Sequence, residues 1–297
     1  MTVIAGNLRL GARETRRAYL GSTLVFAAEQ TRWGTDFSEY PAGSPPRDWT
    51  RFDSGFLETW EITSGGLISG NRMRMRHNST TSSLRTAFFL WDALPEVENS
   101  EVLLLASRGA SNNLNNLHGA GQRLRVNSAT DNAGLFLGAR NNATDITFRR
   151  ISDGRTSFEP DNLTHGSSYD AGNAFWMRCR CDGTNYRLKG WLADTGKEDL
   201  GLSDEPSSWQ LDGAFATITG TGKTGVTFAS FSSTPEQNEV FVHYFGVGID
   251  GDSAPLPAFA PVRTPIPDPD PDPGAFDTFD STATSFDSTA HTFDEVA

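Results

Sequence analysis

Hydrophobic and polar residues alternate with a period of two along several stretches of the chain. In NRMRMRH, Met73 and Met75 share one parity and the intervening arginines share the other. The stretch FWMRCRC repeats this pattern, with Cys179 and Cys181 on the apolar parity and Trp176 with the arginines on the opposite one. Because successive side chains of a strand point to opposite faces, this alternation predicts strands buried on one side only.

Many such segments lie between Thr35 and Gly251, each four to nine residues long. They include FLETWEIT, LRTAFFLW, EVLLLASRG, QRLRVNS, AGLFLGAR, DITFRRIS, NYRLKGWLAD, GKTGVTFASF and EVFVHYFGVGID. Turn residues bound most of them, and helical patterns do not alternate with them, which disfavours a parallel α/β fold. The sequence therefore predicts an all-β protein, a two-sheet antiparallel jelly-roll sandwich.

The two ends of the chain differ from this body. Residues 1–30 read as a small β module of three short strands, which is too small to bury a core alone. After Gly251 the chain becomes rich in proline, and PIPDPDPDP predicts an extended polyproline-type linker. The predicted organisation is a module at 1–30, a jelly roll at 31–255, a linker at 256–275 and a tail at 276–297.

The tail repeats phenylalanine followed by aspartate, mostly at intervals of seven residues. It contains seven Asp, one Glu and no Lys or Arg from residue 264 onward, and so holds −8 of the net charge of −12. We interpret it as a strap that docks on a neighbouring subunit or another virion protein, and a solubilising acidic tail is the alternative. The predicted docking residues are Phe276, Phe279, Asp280, Phe286, Asp287, Phe293 and Asp294 in the tail, with Tyr19 and Leu20 in the N-terminal module.

Overall charge and cysteine usage narrow the function classes. A general nucleic-acid binder would be basic, whereas this chain is acidic. No apolar run approaches the roughly 20 residues of a membrane-spanning helix, and the N-terminus lacks the apolar region of a secretory signal. Cys179 and Cys181 lie two residues apart, where a disulfide would be strained, so we expect buried thiols in a protein folded in a reducing cytosol.

Three stretches in order carry a resemblance to a known family. TDFSEYPAGSPPRDWTRF, FWMRCRCDGTNYRLKGWLADTGKED and VFVHYFGVGIDGDSAP resemble the opening strand, a central hairpin and the closing strand of concanavalin A-like lectin/glucanase (laminin-G-like) jelly rolls. Separately, LRLGARETRRAYLGSTLVF resembles a short module of tailed-phage virion proteins. Together these resemblances imply a phage tail, fibre or decoration protein.

Catalytic patterns are weak. The glucanases of this fold place carboxylates as E-x-D-x-x-E on one strand, and that spacing is absent. Glu58 and Glu61 would point to opposite faces, while Asp250 and Asp252 sit at a glycine turn. The five histidines form no local metal-ligand pair, and GTGKTG lacks the P-loop spacing. We therefore expect no enzymatic activity, no cofactor and no metal.

Two features could form a binding surface. One is the set of strand arginines, which would suit carboxylates, phosphates or acidic glycans if their strands are neighbours. The other is the amide-rich loop GASNNLNNLHGAGQ, whose side chains are common in sugar sites. The candidate ligand-binding residues are Asn112, Asn113, Asn115, Asn116, His118, Arg72, Arg74, Arg178 and Arg180. Ordinary solvent-facing arginines and a turn-rich loop are the alternatives.

The sequence thus favours a non-enzymatic structural component of a phage particle, made in the bacterial cytoplasm and located in the virion. Its expected partners are other virion proteins and copies of itself, with host-surface glycan as a further candidate and neither nucleic acid nor membrane insertion. A carbohydrate-binding adhesin is the main alternative, followed by a glycan hydrolase or lyase of the same fold.

Overall fold

The computed structural model describes residues 8–10, 13–15, 17–20, 23–27, 30–53, 57–77, 81–109, 117–126, 132–140, 145–152, 155–164, 173–214, 220–232 and 238–259. Short strands lie at the N-terminus and around the first long turn: β1 (Leu8–Leu10), β2 (Arg13–Thr15), β3 (Arg17–Leu20), β4 (Thr23–Ala27), β5 (Arg32–Thr35) and β6 (Trp49–Phe52). Longer strands follow: β7 (Leu57–Ser64), β8 (Asn71–His77), β9 (Thr81–Trp91), β10 (Ser100–Arg108), β11 (Leu117–Val126), β12 (Asn132–Arg140), β13 (Asp145–Ser152) and β14 (Arg155–Thr164). The last are β15 (Ala174–Asp182), β16 (Asn185–Leu192), β17 (Leu211–Ala214), β18 (Lys223–Ser232) and β19 (Asn238–Ile249).

Two antiparallel sheets form the body, as the sequence predicts. One sheet has the order β17-β16-β15-β10-β19-β8-β7, with β5 also paired to β19, and the other has the order β14-β13-β12-β11-β18-β9-β6. The N-terminal module contains two hairpins, β1–β2 and β3–β4, of which β2 was not predicted. The linker from residue 260 and the tail lie outside the described residues, so their predicted roles stay predictions. In the described part of the chain, no helix is long and apolar enough to span a membrane.

The main core lies between the two sheets and follows the predicted parity. Met73, Met75, Met177 and Cys179 are fully buried in it, and both cysteines are free thiols. Burial strongly raises the pKa of the Cys179 thiol, so that it stays protonated. Trp49 and Trp91 stack with ring centroids 5.5 Å apart and share Phe245 as an edge-on neighbour.

The expectation of strands buried on one side only is wrong for β10 and β15. A second core covers the outer face of the larger sheet, where Trp176 is fully buried and stacks near Trp191. Two segments cover this face: residues 193–206, which we call the covering loop, and residues 252–259, which we call the C-terminal strap. Trp176 Nε1 and Trp191 Nε1 donate to the carbonyls of Leu200 and Gly201 in the covering loop. Sequence periodicity cannot show such coverage, because the covering segments are irregular.

The C-terminal strap lies directly on the backbone of β19. The chain reverses at Asp250 and Gly251, which both have positive φ. A methyl group at Gly248 would lie 2.3 Å from the Asp252 carbonyl oxygen, so only glycine permits this contact. Tyr244 Oη donates to the Pro255 carbonyl at 2.6 Å and fixes the middle of the strap.

Candidate functional site

Two of the four predicted arginines belong to an ion-pair network on the outer face of the larger sheet. Arg178 Nη1 donates to Glu101 Oε1 at 2.6 Å, and its Nε donates to Glu205 Oε1 at 2.6 Å. Arg180 Nη2 lies 2.7 Å from Glu101 Oε2, and Lys189 Nζ lies 2.7 Å from Glu205 Oε1. The network joins β10, β15 and β16 to the covering loop.

Burial and pairing act in opposite directions on the charges of this network. Desolvation disfavours the Arg178 guanidinium, but the hydrogen bonds and charges of Glu205 and Glu101 outweigh it and raise the pKa of Arg178. Burial would likewise raise the pKa of Glu205, yet Arg178 and Lys189 lower it overall. These groups are therefore held as ions by one another, and the arrangement anchors the covering loop.

The other two predicted arginines lie on β8 and differ from each other. Arg74 Nη1 donates to Glu61 Oε1 at 3.1 Å, and its Nε pairs with Glu239. Arg72 instead lies over the Phe241 ring, with its Cζ atom 3.5 Å from the ring centroid. Strands β10 and β19 separate β8 from β15, so the four arginines do not form one patch of adjacent strands.

The remaining predicted site residues are placed only in part. His118 belongs to β11, with its Cα opposite Phe228 on one side and Ala139 on the other. Tyr19 and Leu20 belong to β3, opposite Leu24 and Thr23. The four asparagines of the amide-rich loop and the tail residues Phe276, Phe279, Asp280, Phe286, Asp287, Phe293 and Asp294 lie outside the described residues.

A polar pocket of about 420 Å³ opens at one end of the larger sheet, where β10 begins and β15 and β19 end. We call it the rim pocket. It is lined by Asn99, Ser100, Glu101, Arg180, Cys181, Asp182, Gly248, Asp250, Gly251 and Asp252. Asp182, Asp250 and Asp252 are exposed in it, and Asn99 Oδ1 accepts from the Gly183 amide at 2.8 Å. The pocket thus presents carboxylate, amide and backbone groups.

Glu101 lies at the rim pocket with 4% of its surface exposed. Besides the two arginines, it accepts the backbone N–H of Ala254 in the C-terminal strap at 3.2 Å. Both carboxylate oxygens are therefore occupied by donors, two of which are permanent cations. A carboxylate held in this way stabilises the fold and has no proton to give as a general acid.

Ser107 and His243 are the described pair that most resembles a nucleophile and base. Ser107 Oγ lies 2.8 Å from His243 Nε2, but the Leu67 N–H donates to His243 Nδ1 at 3.2 Å. Because Nδ1 accepts, the neutral ring carries its proton on Nε2 and donates it to Ser107. This is the reverse of the polarity that activates a serine, where Nε2 must accept. Both residues are buried and join β10, β19 and the 65–70 turn.

His243 should make stability depend on pH. Burial and the charge of Arg72 lower the pKa of His243 to about 3, from about 6.5 in an unfolded chain. Between these values the unfolded state binds more protons, so stability is complete above pH 6.5 and falls as pH decreases. We expect His243 to account for a loss of about 2 kcal/mol between pH 6.5 and 4.5, measured by urea unfolding.

The control is His243→Gln, whose amide can accept from Leu67 and donate to Ser107 without titrating. Carboxylates titrate equally in both proteins, so the difference between the two curves isolates the histidine. Parallel curves would show that His243 contributes nothing to the acid sensitivity.

The rim pocket was mostly missed by sequence reasoning. Asp250 and Asp252 were recognised as turn carboxylates, which agrees with their place beside Gly251. Glu101 was not singled out, although it is the one charged residue in the apolar run EVLLLAS. A charge inside a run that is otherwise fully buried is a usable signal, because such a charge needs a partner.

No family model matches the chain, and no curated protein matches its sequence. Solved structures do resemble it. A carbohydrate-binding module from Bacillus subtilis is 11% identical, covers 68% of this chain and 96% of its own, and has a TM-score of 0.43. A protein of unknown function from Shewanella oneidensis MR-1 is 12% identical, covering 82% and 95% with a TM-score of 0.48. A glycoside hydrolase family 16 endo-glucanase from Bacteroides ovatus is 6% identical, covering 72% and 99% with a TM-score of 0.46.

Proposed function

We propose that this protein is a non-catalytic structural subunit of a tailed-phage particle, and that its sandwich contacts a host-surface glycan through the rim pocket. The observation that carries the proposal is the chemistry of that pocket. It offers many fixed hydrogen-bonding groups to a ligand, while its buried carboxylate is already neutralised by arginines.

The lining of the rim pocket suits a polyhydroxylated ligand. Sugar hydroxyls donate to carboxylates and accept from amides, and Asp182, Asp250 and Asn99 supply these groups. The volume of about 420 Å³ lies within the range of roughly 300–1,000 Å³ common for small-molecule sites. Most such sites are largely apolar, so a polar lining favours a sugar over a hydrophobic ligand.

Two observations support binding without catalysis. Glu101 is held by Arg178, Arg180 and a backbone N–H, so it is a poor candidate for a general acid. The Ser107–His243 pair has its hydrogen bond in the direction opposite to that of an activated serine. The adhesin alternative shares this chemistry and differs only in whether the protein belongs to a particle.

The virion part of the proposal is supported by the order of segments along the chain. The N-terminal stretch resembles a tailed-phage module, and β1–β2 and β3–β4 form two hairpins there. Hairpins of this size are marginal alone and gain stability from a partner surface. The acidic Phe-Asp tail supplies a second attachment segment in this proposal.

The rim pocket is tested by replacing two of its exposed carboxylates. Asp182→Asn with Asp250→Asn keeps the shapes and removes two charged acceptors, and asparagine tolerates the positive φ at 250. We expect this double variant to bind its best polysaccharide on an array of bacterial surface polysaccharides about tenfold more weakly than the wild-type chain. Biolayer interferometry on that polysaccharide measures the ratio.

The matched control is Asp212→Asn, an exposed carboxylate on β17 of the same sheet, which should bind like wild type. Equal binding by the double variant and wild type, or no binding of the wild type to any polysaccharide, would contradict the glycan contact. Mass spectrometry of gradient-purified particles tests the other half. The chain should be present in a fixed ratio to the major tail protein, and its absence would exclude a virion role.

A further inference from the structure

Arg72 is held in an unusual setting on the outer face of the larger sheet. One face of its guanidinium lies 3.5 Å from the Phe241 ring centroid. On the glycine side, a methyl group at Gly65 would lie 3.3 Å from both Cζ and Nη2 of Arg72. Gly65 has a φ of +89°, so its lack of a side chain serves both the turn and the guanidinium. The planar group is thus clamped between an aromatic ring and a backbone turn.

The clamped guanidinium keeps its donors open. Within the described residues, Arg72 makes no hydrogen bond or ion pair, and its Nε is buried without a partner. The Nη atoms are not buried with it, so they are the part of the group that solvent can reach. A planar edge with two N–H groups is the geometry that binds a carboxylate or sulfate through two parallel hydrogen bonds.

The nearby carboxylates do not satisfy Arg72, because Arg74 already engages them. Glu61 and Glu239 both bind Arg74, which lies between them. Glu239 still acts on Arg72 through its charge, and Arg74 opposes it, while burial is the largest influence and lowers the pKa of Arg72. The four charges sum to zero, so an incoming anion meets a locally neutral surface with one open pair of donors.

We propose that Arg72 is an anion-binding subsite that takes the carboxylate of an acidic saccharide. This inference rests on the proposed glycan contact and specifies the chemical class of the glycan. The rim pocket would bind hydroxyl groups, and Arg72, beside the β7–β8 turn, would bind a charged sugar ring of the same or another chain. The Phe241 ring and the Gly65 turn hold the guanidinium in place, so little side-chain entropy is lost on binding.

The test is an NMR titration of the full-length protein, observing the Nε–Hε resonances of its arginines. The probes are sodium glucuronate, sodium sulfate and uncharged glucose, at constant ionic strength. We expect the Arg72 resonance, assigned by its loss in Arg72→Lys, to shift saturably with glucuronate and sulfate, with dissociation constants on the order of millimolar. Glucose should leave it unchanged.

Arg72→Gln should weaken glucuronate binding at least tenfold, whereas Arg187→Gln, which removes an exposed arginine of β16, should leave it unchanged. Arg72→Lys keeps the charge but loses the fork, and should bind several-fold more weakly than wild type. Absence of a saturable shift, or equal affinity in Arg72→Gln, overturns the subsite. Polysaccharide binding that persists without any glucuronate response refutes this inference alone, and a glucuronate response without polysaccharide binding refutes the proposed function instead.

Discussion

Replacing Glu101 by alanine is expected to lower the free energy of unfolding by about 3–5 kcal/mol, because it leaves buried cations without a partner. The side chains of Glu101 and Arg178 are only 4% and 10% exposed, so water cannot replace the lost contact. The Ala254 N–H, which is buried beneath the C-terminal strap, would lose its acceptor as well. Urea unfolding monitored by tryptophan fluorescence measures the change.

The matched control is Asp212→Ala, which removes a carboxylate that pairs with Arg187 at the surface. These side chains are 56% and 36% exposed, and such pairs contribute about 0–1 kcal/mol. Glu101→Gln provides an intermediate variant if the alanine variant does not fold. A loss below about 1 kcal/mol for Glu101→Ala would mean that the network does not hold the outer face together.

Replacing Gly248 by alanine is expected to cost about 2–3 kcal/mol and to detach the C-terminal strap. The added methyl group would lie 2.3 Å from the Asp252 carbonyl oxygen and 2.6 Å from the Ser253 carbonyl carbon. These are backbone atoms, so the strap must move away from β19 as a unit. Urea unfolding gives the energy, and limited proteolysis should show faster cleavage between residues 252 and 259.

The control for this substitution is Gly196→Ala in the covering loop. Its nearest neighbour would be Asp194 Oδ1 at 3.2 Å, on a side chain that can rotate away. We expect a change of about 0.5 kcal/mol or less. If Gly248→Ala left both stability and strap cleavage unchanged, the close contact between strap and strand would be wrong.

The fold class was predictable because period-two alternation is a local property of the sequence. Met73 and Met75 face the core as their parity indicates, and the segment EVLLLASRG forms β10. The second core was not predictable in the same way. Trp176 shares the parity of Arg178, and only the irregular covering loop, which returns over the sheet, decides that this face is buried.

The site was less predictable, because its partners are distant in sequence. Glu101 meets Arg178 across 77 residues and Ala254 across 153. The arginines were recognised as a group from their shared parity, but parity says nothing about which of them meets a carboxylate. Arg74 and Arg178 are paired, whereas Arg72 lies between Phe241 and Gly65.

The central claim is that the protein recognises a glycan without transforming it. The most direct measurement takes the best-binding polysaccharide from the array, incubates it with an excess of the full-length protein, and follows its chain length by size-exclusion chromatography together with its reducing ends and unsaturated ends. The account predicts retention of the polysaccharide by the protein with unchanged length over a day. Shortened chains with new reducing or unsaturated ends, absent from a boiled control, would contradict it and favour a hydrolase or lyase.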